Sequence, residues 1–182
     1  MQKLLLPAAA ALLALAIPSS VSAELPVGTK APQFRTSIAL AGKAMRFSLA
    51  TALRRGPVVL YFYPKAFTQG CTMEAHAFAE ASEDFGAYGA TVVGLSADDL
   101  PTLQRFSTEA CRDKFAVGVA SPQIIKAYDV ALKRAGSSMN MTDRTSYVIA
   151  QDGRITMVHS EMDYRDHVKL TLAAVKKLSA KP

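Results

Sequence analysis

Val58-Val59-Leu60-Tyr61-Phe62-Tyr63-Pro64-Lys65-Ala66-Phe67-Thr68-Gln69-Gly70-Cys71-Thr72 is the stretch that decides the fold. From Val58 to Tyr63 every residue is apolar, β-branched or aromatic, which predicts a central strand buried on both faces. Pro64 stops that strand. From Thr72 to Tyr88 the residues Met73, Ala77, Phe78, Ala81 and Phe85 recur at helical spacing, with Gly89 placed to end the helix. Cys71 therefore stands where a strand has ended and a helix begins. A thiol there meets unpaired backbone N–H groups and the positive end of the helix dipole, and both favour the thiolate.

Outward from this stretch, the chain alternates. Ala41-Gly42-Lys43 predicts a hairpin turn between short strands ahead of it, and Ser48–Arg55 a short helix stopped by Gly56-Pro57. Thr91–Ser96 predicts a second buried strand. Asp98 or Asp99 then caps a helix with Pro101 in its first turn, running to about Arg112. Phe115–Ala120 predicts a third strand and Ser121-Pro122 opens another short helix. Arg144–Ala150 and Arg154–His159 form a hairpin about Gln151-Asp152-Gly153. Asp163 caps a last helix whose apolar face is Val168, Leu172, Val175 and Leu178. This alternation predicts an α/β sandwich with a central mixed sheet flanked by helices and an N-terminal β-hairpin, its site at the C-terminal end of a central strand.

Lys3, the uncharged run Leu4–Ile17 and the small residues of Val21-Ser22-Ala23 match a cleavable signal peptide covering residues 1–23, against the alternative of a retained membrane anchor. Residues 24–182 then form a single domain, exported and, in a Gram-negative source, periplasmic, with no stable membrane insertion after cleavage. The net charge of +6 is spread over separate pairs such as Arg54-Arg55, Lys133-Arg134 and Lys176-Lys177. Without basic helix faces or interleaved aromatics, this argues for a solvated surface and against nucleic-acid binding. The two cysteines, Cys71 and Cys111, would in an exported protein ordinarily suggest one structural disulfide.

The Val58–Thr72 stretch resembles the peroxiredoxins, and among them the bacterioferritin comigratory, or PrxQ-type, branch. The motif is P-x-x-x-T-x-x-C, matched by Pro64, Thr68 and Cys71. Gly94-Leu95-Ser96 with Asp98, and Asp143-Arg144-Thr145-Ser146-Tyr147-Val148-Ile149 with Asp152-Gly153, extend the likeness over most of the chain. The resemblance implies a thioredoxin-like fold in the AhpC/TSA superfamily. It implies a thiol peroxidase without metal, haem or flavin that acts on hydrogen peroxide and organic hydroperoxides. In it Cys71 is the peroxidatic nucleophile, Thr68 a hydroxyl partner for thiolate and peroxide, Pro64 a shield over the pocket, and Arg144 the cation that holds the site.

One position departs from the pattern: His76 stands where many PrxQ-type members carry a second cysteine. The resemblance then points to Cys111, late in the following helix, as the resolving thiol. It also implies a thioredoxin-like protein or small thiol as reductant and a monomer or weak dimer. Three rivals remain from other classes, one of them a structural secreted domain held by a permanent disulfide. A thioredoxin-type oxidoreductase requires C-x-x-C, and Thr68 takes the first thiol's place. A copper-binding module requires C-x-x-x-C, and Ala75 takes the second's, although His76, His159 and His167 remain as candidate ligands.

Overall fold

The computed structural model describes residues 24–134 and 137–180, so the predicted signal peptide lies outside the described residues. Among the described residues thirteen helices and strands build one layered unit. Strands β1 (Arg35–Leu40) and β2 (Lys43–Ser48) are followed by α1 (Leu49–Leu53) and β3 (Val58–Phe62). Next come α2 (Gln69–Glu80), α3 (Ser82–Ala87), β4 (Thr91–Ser96), α4 (Leu100–Glu109), β5 (Ala116–Val119) and α5 (Pro122–Tyr128). A separate hairpin, β6 (Ala131–Arg134) and β7 (Ser137–Thr142), precedes β8 (Thr145–Ile149), β9 (Ile155–Ser160) and α6 (His167–Ser179). The main sheet has seven strands in the order β2-β1-β5-β4-β3-β8-β9. Strands β3, β4 and β5 are parallel, and β1 and β8 join them antiparallel. This is the expected mixed sheet flanked by helices. The N-terminal hairpin is not a loose extension, because β1 pairs with β5 and continues the sheet.

The period of two in β3 divides the core. Val58, Leu60 and Phe62 face one apolar layer with Leu49, Leu53, Ile124, Ile125 and Tyr128 of α1 and α5. Val59, Tyr61 and Tyr63 face the other, with Ala75 and Phe78 of α2, Phe85 of α3, and Leu103 and Phe106 of α4. Both cysteines lie in this second layer. Burying each such large side chain stabilises the fold by about 1.5–3 kcal/mol. Tyr61 fits only because β4 offers Gly94 opposite it, where a Cβ would stand 2.5 Å from the ring. The β1–β2 turn uses positive φ at both Ala41 (48°) and Gly42 (74°), the twist that a two-residue hairpin needs.

Four boundaries differ from expectation. The helix after β3 starts at Gln69, not Thr72: Thr68 is extended (φ −75°, ψ 149°), and the low helix propensity of Gly70 hid the first turn. The same helix breaks at Ala81, whose ψ of 2° leaves the helical range, and resumes as α3. Helix α4 stops at Glu109 instead of Arg112, because Arg112 and Asp113 adopt left-handed φ of 51° and 60°. Cys111 therefore sits in the turn beyond the helix. Asp163 caps a short 3₁₀ turn, Tyr164–Asp166, and α6 begins only at His167. The β6–β7 hairpin was not among the expected elements. Among the described residues no helix is long and apolar enough to cross a membrane.

Candidate active site

Cys71 is the third residue of α2 and only 2% exposed. The first-turn N–H groups of a helix have no intrahelical partner, so the sulfur lies at a natural anion-binding end. The loop that delivers α2 is pinned at its start. The Asp98 carboxylate accepts from the Ala66 N–H at 2.7 Å and from the Ser96 hydroxyl at 2.8 Å, and the buried Thr142 hydroxyl donates to the Tyr63 carbonyl at 2.7 Å. Beyond these anchors Phe67 takes a left-handed φ of 64°, uncommon for a bulky residue. Its ring meets Phe106 of α4 edge-on at 5.2 Å, with the Arg105 guanidinium 5.0 Å from the ring centre.

Arg144 immediately precedes β8 and is 4% exposed. Its guanidinium reaches three ways. Nη2 lies 3.5 Å from Cys71 Sγ, Nε donates to the Met162 carbonyl at 2.9 Å, and Nη1 pairs with Glu74 Oε2. Gly70 eases the close approach, since a Cβ there would stand 3.3 Å from Nη2. Arg144 and Cys71, far apart in the chain, are thus brought together as expected.

Glu74 was not anticipated. It is fully buried, one helical turn after Cys71 on the same side of α2. Burial pushes its carboxyl up to about 8, against the lowering effect of Arg144. For Arg144, burial works against the charge, but Glu74 and Cys71 outweigh it and hold the guanidinium above its ordinary value. The cation is secure, and the carboxyl leans toward its neutral form. Behind Glu74 stands His167, also fully buried, with Nδ1 3.7 Å from Glu74 Oε1. Burial chiefly, helped by His159 and Arg144, lowers its imidazole to about 4. A charged carboxylate one turn from Cys71 in an otherwise apolar helix face was the available signal for Glu74. For His167, an apparent surface histidine, there was none.

Thr68 is the N-cap of α2, but its exposed hydroxyl donates to the Lys65 carbonyl at 2.9 Å and caps no helical N–H. Pro64 follows β3, half-buried. Cys111 is fully buried in the turn after α4, its N–H on the Phe106 carbonyl at 3.0 Å. Both cysteines are free thiols. Burial, with a contribution from Asp113, pushes the Cys111 thiol far up. His76 is half-buried on α2. Among the described residues, no three His, Cys, Asp or Glu side chains cluster as a metal site would require. A cleft of about 200 Å³, lined by Asp143, Arg144, Ser160, Glu161 and Met162, opens against Arg144.

Residues 27–158 match the model of the AhpC/TSA family. Peroxiredoxin Bcp of Bacillus subtilis is 29% identical over 126 residues, covering 68% of this chain and 80% of that protein. The chloroplastic peroxiredoxin Q of Gentiana triflora is 29% identical over 154 residues, covering 84% and 68%. Among solved structures, peroxidoxin BcpB of Mycobacterium tuberculosis superposes with a TM-score of 0.73 at 28% identity, over 84% of this chain and 97% of that one.

Proposed function

Because this chain belongs to the AhpC/TSA family and is a peroxiredoxin, a thiol peroxidase, we propose that Cys71 is the nucleophile that reduces hydrogen peroxide and small organic hydroperoxides. The observation that carries this reading is the Arg144 guanidinium 3.5 Å from Cys71 Sγ in the first turn of α2. A sulfur anion there is paired on one side by a cation that neighbouring groups do not deprotonate.

The ionised sulfur attacks one peroxide oxygen along the O–O axis. The S–O bond forms as the O–O bond breaks, leaving Cys71 as sulfenic acid and releasing hydroxide or alkoxide, which is then protonated. Negative charge moves from sulfur to the departing oxygen, so fixed donors aimed at that oxygen lower the barrier. Arg144 and the unpaired N–H groups of the α2 first turn supply them. Thr68 joins when its hydroxyl turns from the Lys65 carbonyl toward the sulfur, a rotation about one side-chain bond. Pro64, at the strand end, limits water on that side.

Cys111 is the proposed resolving thiol. Its sulfur attacks the sulfenic acid, water leaves, and a Cys71–Cys111 disulfide forms. Disulfide geometry needs the Cα atoms within about 7 Å. Supporting this step, Cys111 shares an apolar layer with Cys71 and lies in a turn rather than inside a helix. A thioredoxin-like protein or a small thiol restores both cysteines. The protein acts as a monomer or weak dimer. Export to the cell envelope rests on the pattern of residues 1–23 alone. Peroxide consumption with a thiol reductant tests the reading: full activity in Cys71→Ser would sink it. Unchanged cycling of Cys111→Ser with every reductant would remove only the resolving assignment.

A further inference from the structure

Three buried polar side-chain atoms among the described residues have no hydrogen-bond partner, the hydroxyls of Tyr61 and Tyr63 and a carboxyl oxygen of Glu74, and only the last belongs to a carboxylic acid beside Cys71. Glu74 Oε2 is taken by Arg144, but Oε1 is buried and unpaired. The titratable atom facing it is His167 Nδ1, at 3.7 Å. The tautomer of His167 follows from its other contacts. Nε2 lies 2.9 Å from the Glu161 carbonyl, which can only accept, so Nε2 carries the hydrogen. Nδ1 is then an acceptor, and the Ser146 hydroxyl at 2.8 Å donates to it. An ionised Glu74 would face this lone pair with one of its own. A proton between Oε1 and Nδ1 converts that repulsion into a hydrogen bond. A small rotation of the carboxyl brings the atoms to the usual distance of about 2.8 Å, and the Ser146 hydroxyl turns aside.

The groups around this point come from every packed element. Arg144 lies ahead of β8, Cys71 stands one turn back on α2, and Tyr61 approaches from β3. The His159 ring of β9 meets His167 edge-on, with ring centres 4.5 Å apart, and Asp163 faces the imidazole from the 3₁₀ turn. Arg144 is the one fixed cation among them, and two acids, Cys71 and Glu74, compete for it. A dry cluster with one cation accommodates one anion far better than two.

We propose that Glu74 Oε1 and His167 Nδ1 together hold the proton that Cys71 gives up, so that the Arg144 cluster carries a single anion that alternates between sulfur and carboxylate. With Cys71 ionised, Glu74 is neutral and donates to His167. When the peroxide reacts, thiolate, neutral Glu74 and ROOH become sulfenic acid, Glu74 carboxylate and ROH. The S–O bond replaces the O–O bond, and the departing oxygen receives a proton equivalent to the one Glu74 releases. Atoms and charge balance, and Arg144 exchanges one anionic partner for the other. His167 touches no reacting atom; it is a positioning residue that makes the neutral carboxyl comfortable in the core.

This rests on Cys71 being the nucleophile, and the tests use no peroxide turnover, so the two can fail separately. First, the ionisation of Glu74 is followed by carboxyl-carbon NMR in reduced wild type and in Cys71→Ser. The expected result is a Glu74 midpoint lower in Cys71→Ser by about one pH unit or more, as for any coupled pair. Equal midpoints overturn the proposal. Second, alkylation of Cys71 by iodoacetamide is timed in His167→Leu. The expected rate falls about tenfold at neutral pH, the equivalent of one unit, is unchanged at high pH where thiols are fully ionised, and shows no such defect when Glu74→Gln is added. A wild-type rate at neutral pH, equal slowing at both pH values, or a defect that persists with Glu74→Gln overturns it. Should His167→Leu not fold, the Glu74 titration still decides.

Discussion

The two cysteines are equally hidden and electrostatically opposite. Cys71 and Cys111 lie in the same apolar layer, both buried. Cys71 has a guanidinium at 3.5 Å and stands in the first turn of a helix, where N–H groups converge. Cys111 stands beyond the far end of a helix, and burial, with a contribution from Asp113, holds its proton more tightly than an ordinary thiol's. Burial alone is thus a poor guide to a thiol's reactivity; a buried cation beside the sulfur, present at Cys71, offsets it.

That contrast can be broken at several points. The largest effect is expected from Cys71→Ser, which should reduce peroxide consumption to background, whereas Cys111→Ser should still consume one equivalent of peroxide in a single turnover; stopped-flow measurement separates the two. Next, Arg144→Met should lower kcat/KM about 10²–10³-fold, as loss of one transition-state donor does. Arg144→Lys should recover little, because one ammonium cannot serve Cys71, Glu74 and the Met162 carbonyl together. In the folded, reduced protein, iodoacetamide should label Cys71 at least about tenfold faster than Cys111, with the difference vanishing in denaturant; peptide mass mapping reads it. Multiple turnover in Cys111→Ser should then fall severalfold with a thioredoxin-type reductant.

The smallest effect concerns stability. His167 is lowered from 6.5 to about 4 on folding, so the unfolded chain binds the proton first as pH falls. Stability from this group is intact above about pH 6.5 and declines as pH drops toward about 4, by up to roughly 3 kcal/mol. Glu74, raised on folding to about 8, gains stability as pH falls over part of the same range, so the His167 contribution is read as the difference in denaturant-unfolding free energy between wild type and His167→Gln, which should shrink from pH 6.5 toward pH 4.

Much of the frame was legible because its signals were local. The Val58–Tyr63 run could only be a strand wet on neither face, and Asp99 with Pro101 marks a helix start that the structure keeps, its carboxylate accepting from the Thr102 N–H at 2.9 Å. Gly70 misled: as a helix former it is poor, yet a Cβ in its place would press on Arg144 Nη2 at 3.3 Å. The site was legible only in its motif residues. Arg144 was legible through the family resemblance, whereas Glu74 and His167 join it through contacts between α2 and α6 that no spacing within one element encodes. The β6–β7 hairpin is weakly marked in the sequence: Gly136-Ser137 is a turn signal and Met139–Thr142 alternate, but the segment holds few β-branched residues and no aromatic ones.

Phe67 ties these regions together mechanically. It occupies a strained backbone position between the anchored loop and Thr68, and its ring rests on Phe106, whose carbonyl also holds the N–H of Cys111. Phe106 thus touches both the loop that leads into Cys71 and the turn that carries Cys111. A single aromatic residue therefore serves as common ground for the backbone on either side of the two sulfurs, so a Phe106→Ala change should disturb both turns at once, as read by the iodoacetamide labelling of each cysteine.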